Sequence, residues 1–465
     1  MTMSEPLPAF ESRVREALGD AQLQGALQKV QDQACAKRAL ALRDLPDWEA
    51  WRERVAQSRA DALDHLEPLL ERFTREVEKR GGTVQRAASA QEAVDHVLRI
   101  ARAHGVRSVV KAKSMLSEEI GLNARLEREG IEVLETDLGE YVIQLAREHP
   151  SHIILPAIHK TKEQIRDLFS RHSGRDLPAD PAALTAHARE ALRPRFLAAD
   201  LGISGCNLAV ASTGSVVLVT NEGNARMSTT FPRVHVVLMG MERIVRDWAN
   251  AAPVLTLLPR AATGQPATSY TTVITGPKRA DDPDGPEKLH VVIVDNGRSE
   301  ILRSPYRSVL QCIRCGACLN ACPVYGRIGG HAYASVYCGP IGAVLTPLLS
   351  GFEEGQELPF ASTLCGACQE VCPAKVPLAD LLVRLRADLL RRYPKRAERL
   401  TFRLFGAAVA HPHIFSTGLA VAARMAASAP ASLARVGPGA RWAKTREVPR
   451  AAGHTFRSRW HRGKE

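Results

Sequence analysis

Two hydrophobic rhythms divide the chain. Between about Ala60 and Ser304, short β-branched runs alternate with amphipathic stretches. This is the pattern of a largely parallel or mixed sheet covered by helices. Arg107–Lys111, Ile131–Leu134, His152–Leu155, Ser215–Thr220, Val234–Leu238, Val254–Leu257, Tyr270–Ile274 and Leu289–Val294 read as strands. Ala60–Lys79, Gln91–Ala103 and Leu116–Arg128 read as helices. Residues 1–59 predict a helical N-terminal arm, with Leu18, Leu27 and Val30 set among Gln, Ala and Arg, and Trp48 and Trp51 following Pro46. From about Tyr306 the β-branched runs stop, and Cys, Gly and Pro become frequent. Gly342–Leu349 and the stripe Leu378, Leu381, Leu382, Leu385, Leu389 predict helices. The expected architecture is an α/β domain over 60–304, a cysteine-rich α-helical domain over 305–393, and a basic region over 394–465 of amphipathic helices ending in a disordered tail.

Composition narrows the class. The chain has 465 residues, too many for one ordinary core. Hydrophobic residues make up 45% and charged residues 24%, the balance of a folded rather than a disordered protein. No run reaches the roughly 20 apolar residues of a spanning helix, and Met1–Leu23 has no apolar core of a secretory signal. The expectation is a cytoplasmic protein, held at most peripherally at the inner membrane face through partners. The net charge of +12 is partly a tail effect, because Arg441–Glu465 carries eight Lys/Arg. No zinc-finger spacing or stacking-aromatic motif accompanies it, so a nucleic-acid partner is not expected.

The ten cysteines carry the chemistry. Cys312, Cys315, Cys318 and Cys322 precede Pro323 in the C-x2-C-x2-C-x3-C-P spacing of bacterial ferredoxins. Three cysteines three residues apart let a loop curl round a cubane, while the fourth thiolate points away to another cluster. Zinc sites use separated C-x2-C pairs, and disulfides do not suit a large chain without an export signal. Fifty residues on, Cys365-Gly-Ala-Cys368, three residues, then Cys372-Pro373 repeat the end of the first motif, with Ser362 where the counterpart of Cys312 would fall. The crossed ferredoxin rule assigns Cys312, Cys315, Cys318 and Cys372 to cluster one, and Cys322, Cys365 and Cys368 to cluster two. Two [4Fe–4S] clusters are expected. The second either is a [3Fe–4S] core or takes a fourth ligand from Cys338, Ser362 or solvent. Cys338 reads equally well as a buried free thiol. Cys35 and Cys206 also stand outside the motifs.

The cysteine segment resembles the helical ferredoxin domains of succinate dehydrogenase iron–sulfur subunits, heterodisulfide reductases and glycerol-3-phosphate dehydrogenase electron-transfer subunits. Further motifs are more particular: Arg327-Ile-Gly-Gly-His-Ala-Tyr333, Gly339–Val344, Lys113-Ser-Met115, Glu135–Glu140, Pro156–Lys160, Asp200–Ser204 and Thr220–Asn224. With these the chain resembles the lactate utilisation iron–sulfur protein B family, from about Glu53 to the tail. The resemblance implies a front domain similar to the sugar-phosphate isomerase and CoA-transferase fold, two [4Fe–4S] motifs, and work with two other lactate-utilisation proteins in oxidising L-lactate to pyruvate. It carries over the seven motif cysteines and not Cys338.

The front domain offers weaker signals. Thr213-Gly-Ser215 and Glu222-Gly223 flank a predicted strand and would bound a small-anion pocket, with Glu222 an acid or base. The blander reading, preferred on sequence alone, is a polar turn with Gly223 at positive φ. His152, His159 and Lys160 read as carboxylate contacts or as hydrogen-bonded structural residues, and His331 and Tyr333 as groups that tune the clusters or simply pack. No nucleotide-binding glycine fingerprint opens a strand–helix unit. The expected function is single-electron transfer through two clusters within an L-lactate-oxidising complex, with an unidentified acceptor and no assigned catalytic residue. The alternatives are an electron-transfer subunit for another 2-hydroxy acid or a quinone-linked oxidoreductase, and a non-enzymatic redox sensor.

Overall fold

The structure, a computed structural model, describes residues 9–394, 396–428, 440 and 454–462. Residues 1–387 form one compact unit and 388–465 a second. Ten strands lie in the first: β1 (Thr83–Ala87), β2 (Ser108–Lys111), β3 (Glu132–Glu135), β4 (Leu201–Ser204), β5 (Leu208–Val210), β6 (Ser215–Thr220), β7 (Val234–Gly240), β8 (Ile244–Val245), β9 (Tyr270–Ile274) and β10 (Lys288–Val294). Six form a sheet in the order β1-β10-β7-β4-β2-β3, with every pairing parallel. The other four form β8-β5-β6-β9, antiparallel except at β5–β8.

Burial on both faces explains the unbroken apolar runs. All of β7 is buried. Its Val236 and Leu238 pack with Val94, Val97 and Leu98 of the helix Ala90–Ala103, while Val237 and Met239 pack with Leu69, Leu70 and Phe73 of the helix Leu66–Glu78. A strand in the middle of a helix-covered sheet has no solvent face to alternate with. Parallel strands also send all their carboxyl ends to one edge. Ala112–Ser114, Gly205–Asn207, Met241–Arg243 and Asn296–Arg298 therefore follow β2, β4, β7 and β10 along a single rim.

Several expected elements take a different form. Val254–Leu257 is not a strand but lies in the helix Trp248–Ala262, which Asp247 caps by accepting from the Asn250 amide. His152–Leu155 is an irregular bend, because the His152 ring takes the local amides as its own partners. Ala60–Lys79 is divided at His65 between two helices, and Leu116–Arg128 breaks at Gly121, where φ is +63°. β1, β4 and β5 were too short or too polar to read as strands.

The segment after Tyr306 is built of short helices, with Gly339–Leu349 and Leu378–Arg392 the longest. It shares one hydrophobic core with β5, β6 and the helix Trp248–Ala262, through residues such as Leu208, Val217, Leu257, Leu319 and Leu385. The N-terminal arm is helical over Phe10–Gly19, Ala21–Arg43 and Trp48–Asp64. It closes over the cysteine loops: Gln31 Nε2 donates to the Leu319 and Cys322 carbonyls at 3.0 Å each, and Arg52 Nε to the Cys372 carbonyl at 2.9 Å.

In the second unit, helices cover Arg396–Ala410, Pro412–Ser428 and Phe456–Arg462. Among the described residues no single helix is long and apolar enough to cross a membrane. Arg399–Ala410 and Pro412–Met425 pass that test only together and are bent by 107°. The disordered tail expected at the chain end falls mostly outside the described residues.

Gly202 tests the packing at the sheet centre. A Cβ there would lie 1.8 Å from the Ser228 carbonyl oxygen. That atom is backbone and has no flexible side chain to yield. Gly202→Ala should cost about 3 kcal/mol through overpacking, read as a clear fall in melting temperature. An unchanged melting temperature would mean that β4 and the helix Asn224–Thr230 are not in contact.

Candidate iron–sulfur centres and the adjoining cavity

The two cysteine loops are folded alike. Arg314 and Gly316 in the first have φ of +59° and +74°; Leu364 and Gly366, fifty residues on, have +57° and +84°. Each loop then enters a four-residue helical turn, Ala317–Asn320 or Ala367–Glu370, carrying Cys318 or Cys368. The left-handed residues reverse the backbone so that consecutive thiols turn inward. Glycine takes that conformation without strain, which accounts for the second residue of each Cys-Gly-Ala-Cys.

Cys312, Cys315, Cys318 and Cys372 line one cavity, walled by Ile153, Ile313, Ile341 and Val376. Cys322 does not line it; it lies near Cys365, and Cys368 lies near both. Across the two groups, Cys368 comes close enough to Cys318 to act on its charge. Cys312, Cys315, Cys318 and Cys372 thus share one cavity, and Cys322, Cys365 and Cys368 lie near one another outside it.

The donor set suits a cluster. Burial first, and neighbouring thiols second, push Cys315 and Cys318 up, and Cys372 and Cys368 to about 11. Converging thiols in an apolar cavity resist ionisation until positive charge enters among them. Backbone amides are already turned to the sulfurs. Arg314 N donates to Cys312 Sγ, Tyr325 N to Cys322 Sγ and Val376 N to Cys372 Sγ, each at 3.4 Å. Such contacts favour the anionic thiolate. Among the described residues no three His, Cys, Asp or Glu side chains are arranged to hold a single metal ion.

Cys365 is exposed, and bonds from Thr363 and the Ala367 amide hold its thiol below the usual range. Cys338 is buried, pushed to about 12 by burial, and donates to the Ser151 carbonyl at 3.7 Å. Ser362 Oγ accepts from the Leu364 amide at 3.1 Å. Cys35 donates to the Asn320 carbonyl at 3.6 Å. Cys206 is pushed to about 12 by burial and lies on the larger cavity described below.

His152, His159 and His331 each have protein partners. His152 Nδ1 accepts from the Ile154 and Leu155 amides at 2.9 and 3.1 Å, and its Nε2 donates to Asn320 Oδ1 at 3.2 Å. Burial lowers it to about 4, so it stays neutral. His159 is shared between Ser151 and Glu148, Lys160 pairs with Glu148, and His331 bonds the His149 carbonyl. Tyr333 is buried near Cys322, and Tyr325 donates to the Ser151 carbonyl at 2.7 Å.

Sequence reading missed a buried charge network. Arg298 bridges Glu119 and Glu242 at 2.7 and 2.8 Å, and Tyr337 donates to Glu119 at 2.6 Å. Burial alone would raise Glu242, but Arg298, Arg243 and Arg314 hold it at about 2. Arg314 lies over the Tyr337 ring at 4.6 Å and within the field of Cys312. Arg59, wholly buried, donates to the Ile244 carbonyl at 2.8 Å and to the Glu242 carbonyl. These partners are up to 218 residues apart, so no local motif announces them.

A second cavity, with about 1490 Å³ of atom-free space, opens at the carboxyl rim of the parallel sheet. Lys113, Ser114, Asp137, Asn221, Glu222 and Asn224 line it, together with Arg243 and Arg314. Glu222 thus joins a pocket after all, whereas Thr213 and Ser215 bond each other and do not line it. Gly223 has φ of −76°, not the positive value expected of a turn. Ile153, Ile313 and Arg314 line both cavities.

Three family models match parts of the chain: a LUD domain over residues 70–294, a 4Fe-4S dicluster domain over 308–376, and the lactate utilisation protein B C-terminal region over 393–465. Lactate utilization protein B of Geobacillus thermodenitrificans is 46% identical, covering 98% of this chain and 97% of its own. The chain belongs to the lactate utilization protein B family. The Bacillus velezensis protein of the same name is 44% identical over 100% of this chain and 99% of its own. A protein of Escherichia coli named uncharacterized electron transport protein YkgF is also 44% identical, over 97% and 95%. Among solved structures, a DUF162 family protein from Deinococcus radiodurans aligns to 49% of this chain and 98% of its own at 16% identity and a TM-score of 0.28, too low to bear on the fold. The dicluster match and the grouped cysteines mark an iron–sulfur protein, and the α/β region with its parallel sheet is the LUD domain.

Two expectations follow from these positions. Cys372→Ala should damage the same paramagnetic centre as Cys315→Ala, 57 residues away, whereas Cys322→Ala should damage the one shared with Cys365 and Cys368. If the four cysteines of the first motif behave as one set in electron paramagnetic resonance, the grouping is wrong. The second concerns Glu140, which burial raises to about 7 and Lys113 only partly offsets at 3.5 Å. A carboxyl raised on folding favours its protonated form, so its ionisation erodes stability as pH climbs from the ordinary carboxylate range to about 7. Glu140→Gln should match the parent near pH 5 and exceed it by about 2 kcal/mol near pH 8. Equal melting temperatures at both pH values would show that Glu140 is not buried.

Proposed function

We propose that the protein is the electron-transfer subunit of a complex that oxidises L-lactate to pyruvate. The observation that carries this is the pair of cysteine sets, Cys312, Cys315, Cys318, Cys372 and Cys322, Cys365, Cys368, meeting at Cys318 and Cys368. The first set would hold a [4Fe–4S] cluster through four thiolates. The second would hold a [4Fe–4S] cluster with a non-cysteine fourth ligand, or a [3Fe–4S] core. Bound clusters supply one-electron oxidation and reduction, and lactate gives up two electrons and two protons on becoming pyruvate.

The chain's residues fit that task. Ile153, Ile313, Ile341 and Val376 keep water from the first set. The amides of Arg314, Tyr325 and Val376 favour negative sulfur, and Arg314 and Arg243 place positive charge by Cys312. Cys365 is exposed, which puts the second set where a partner's acceptor approaches. The names of the relatives favour lactate as the ultimate electron source and electron transport as the role. On this reading the protein works at the cytoplasmic side with two other lactate-utilisation proteins, passing electrons to an acceptor still to be identified. Its α/β domain would have the sugar-phosphate isomerase and CoA-transferase type of fold.

Anaerobically purified protein should contain about seven to eight iron atoms per chain with near-equal sulfide. In the reconstituted complex, L-lactate should reduce both centres, and omission of a partner should abolish this. Stoichiometric zinc without sulfide, or clusters that lactate never reduces in the complete complex, would overturn the reading.

A further inference from the structure

We infer that the cavity at the carboxyl ends of β2, β4 and β7 is a binding site for a small hydroxy acid, taken up as its carboxylate; the choice of this ligand class rests on the function proposed above. Its place is where parallel α/β sheets bind ligands, outside the carboxyl ends of the strands. Its lining supplies the complement of such an anion. Lys113 Nζ is buried without a hydrogen-bond partner, its nearest carboxylate Glu140 standing off at 3.5 Å. Arg314, whose side chain is 8% exposed, has Nε and Nη1 buried and unpartnered. Unsatisfied buried donors on cations are costly, and a carboxylate satisfies them.

The hydroxyl half of the ligand is written in Asn224. Its Oδ1 is buried and unpartnered, while its Nδ2 donates to Thr136 Oγ1 at 3.5 Å. Thr136 gives its own proton to the Lys111 carbonyl at 2.9 Å, so the hydroxyl acts as acceptor to Asn224 and the orientation of the amide is fixed. The free Oδ1 can accept from a ligand hydroxyl, a donor that a simple carboxylate lacks. Asp137 and Glu222 also line the cavity, and Glu222 is raised by burial and by Asp137. A multiply charged phosphate or nucleotide would meet these acids; a monoanion turned towards Lys113 need not. Ile154, Leu218 and Leu258 give an apolar wall for a short alkyl chain. The cavity has room for acids larger than three carbons, so chain length is not what selects.

The location gives the site its purpose. Ile153, Ile313 and Arg314 separate it from the cavity of Cys312, Cys315, Cys318 and Cys372 as a single shared layer. An acid held here sits next to the first cysteine set.

The test is anaerobic calorimetry on the cluster-loaded protein alone, with L-lactate, propionate and inorganic phosphate as probes. L-lactate should bind one per chain, and propionate, lacking the hydroxyl, roughly ten-fold more weakly, the worth of one hydrogen bond. Lys113→Met should weaken both acids roughly ten-fold, and Asn224→Ala should bring lactate and propionate together, with visible cluster absorbance unchanged. The parent comparison of two acids needs no variant to fold. Equal binding of lactate and propionate, tighter binding of phosphate, no binding, or a well-folded Lys113→Met variant that binds as the parent would overturn the inference. Lactate binding without lactate-dependent cluster reduction in the complete complex would instead overturn the electron-transfer reading and leave the site standing.

Discussion

Seven thiols held close together must become thiolates to hold a cluster, and the surrounding protein has to make that charge tolerable. Four of them share a cavity walled by isoleucine and valine, where negative charge is poorly solvated. The compensation is built from backbone amides turned to sulfur and from arginines that the cavity's neighbours keep buried. Those arginines would be as costly as the thiolates if left alone. Glu242 lies beside Arg243 and Arg314 and pairs with Arg298, which Glu119 holds from the other side, and the Tyr337 hydroxyl completes the bonding of Glu119. The charge network of the α/β domain and the cysteine loops are thus one electrostatic system, which accounts for the single core that joins them.

The cysteine chemistry was legible because its spacing is local. The fifty-residue repeat could be read down to individual positions, and the backbone repeats with it at Arg314 and Leu364, and at Gly316 and Gly366. The central strands were legible for the same reason, since Val234–Leu238 and Leu289–Val294 are apolar runs broken only by His235 and His290. The misreadings arose where a side chain overrides the run of apolar residues. Val254–Leu257 has strand-like composition, but Asp247 starts a helix ahead of it. His152–Leu155 is held in a bend by an imidazole ring.

The pocket was half legible. Lys113-Ser-Met115, Asp137 and Thr220–Glu222 with Asn224 were visible as motifs, and all of them line one cavity. Nothing in the sequence says that they meet, because the order of strands in the sheet brings them together. Glu222 looked like part of a turn because Gly223 follows it, yet that glycine has an ordinary right-handed conformation, with φ of −76°. The buried arginines were illegible for the same reason: Arg59, Arg298 and Arg314 find their partners across the fold.

The arm has a consequence for how the molecule is made. Gln31 and Arg52 bond carbonyls of the cysteine loops 288 to 320 residues further along the chain. During synthesis the arm leaves the ribosome long before the loops exist, and contacts of such separation form late in folding. Until they form, the loops lack the cover that Gln31 and Arg52 supply. The oldest part of the nascent chain becomes the seal on its newest chemistry.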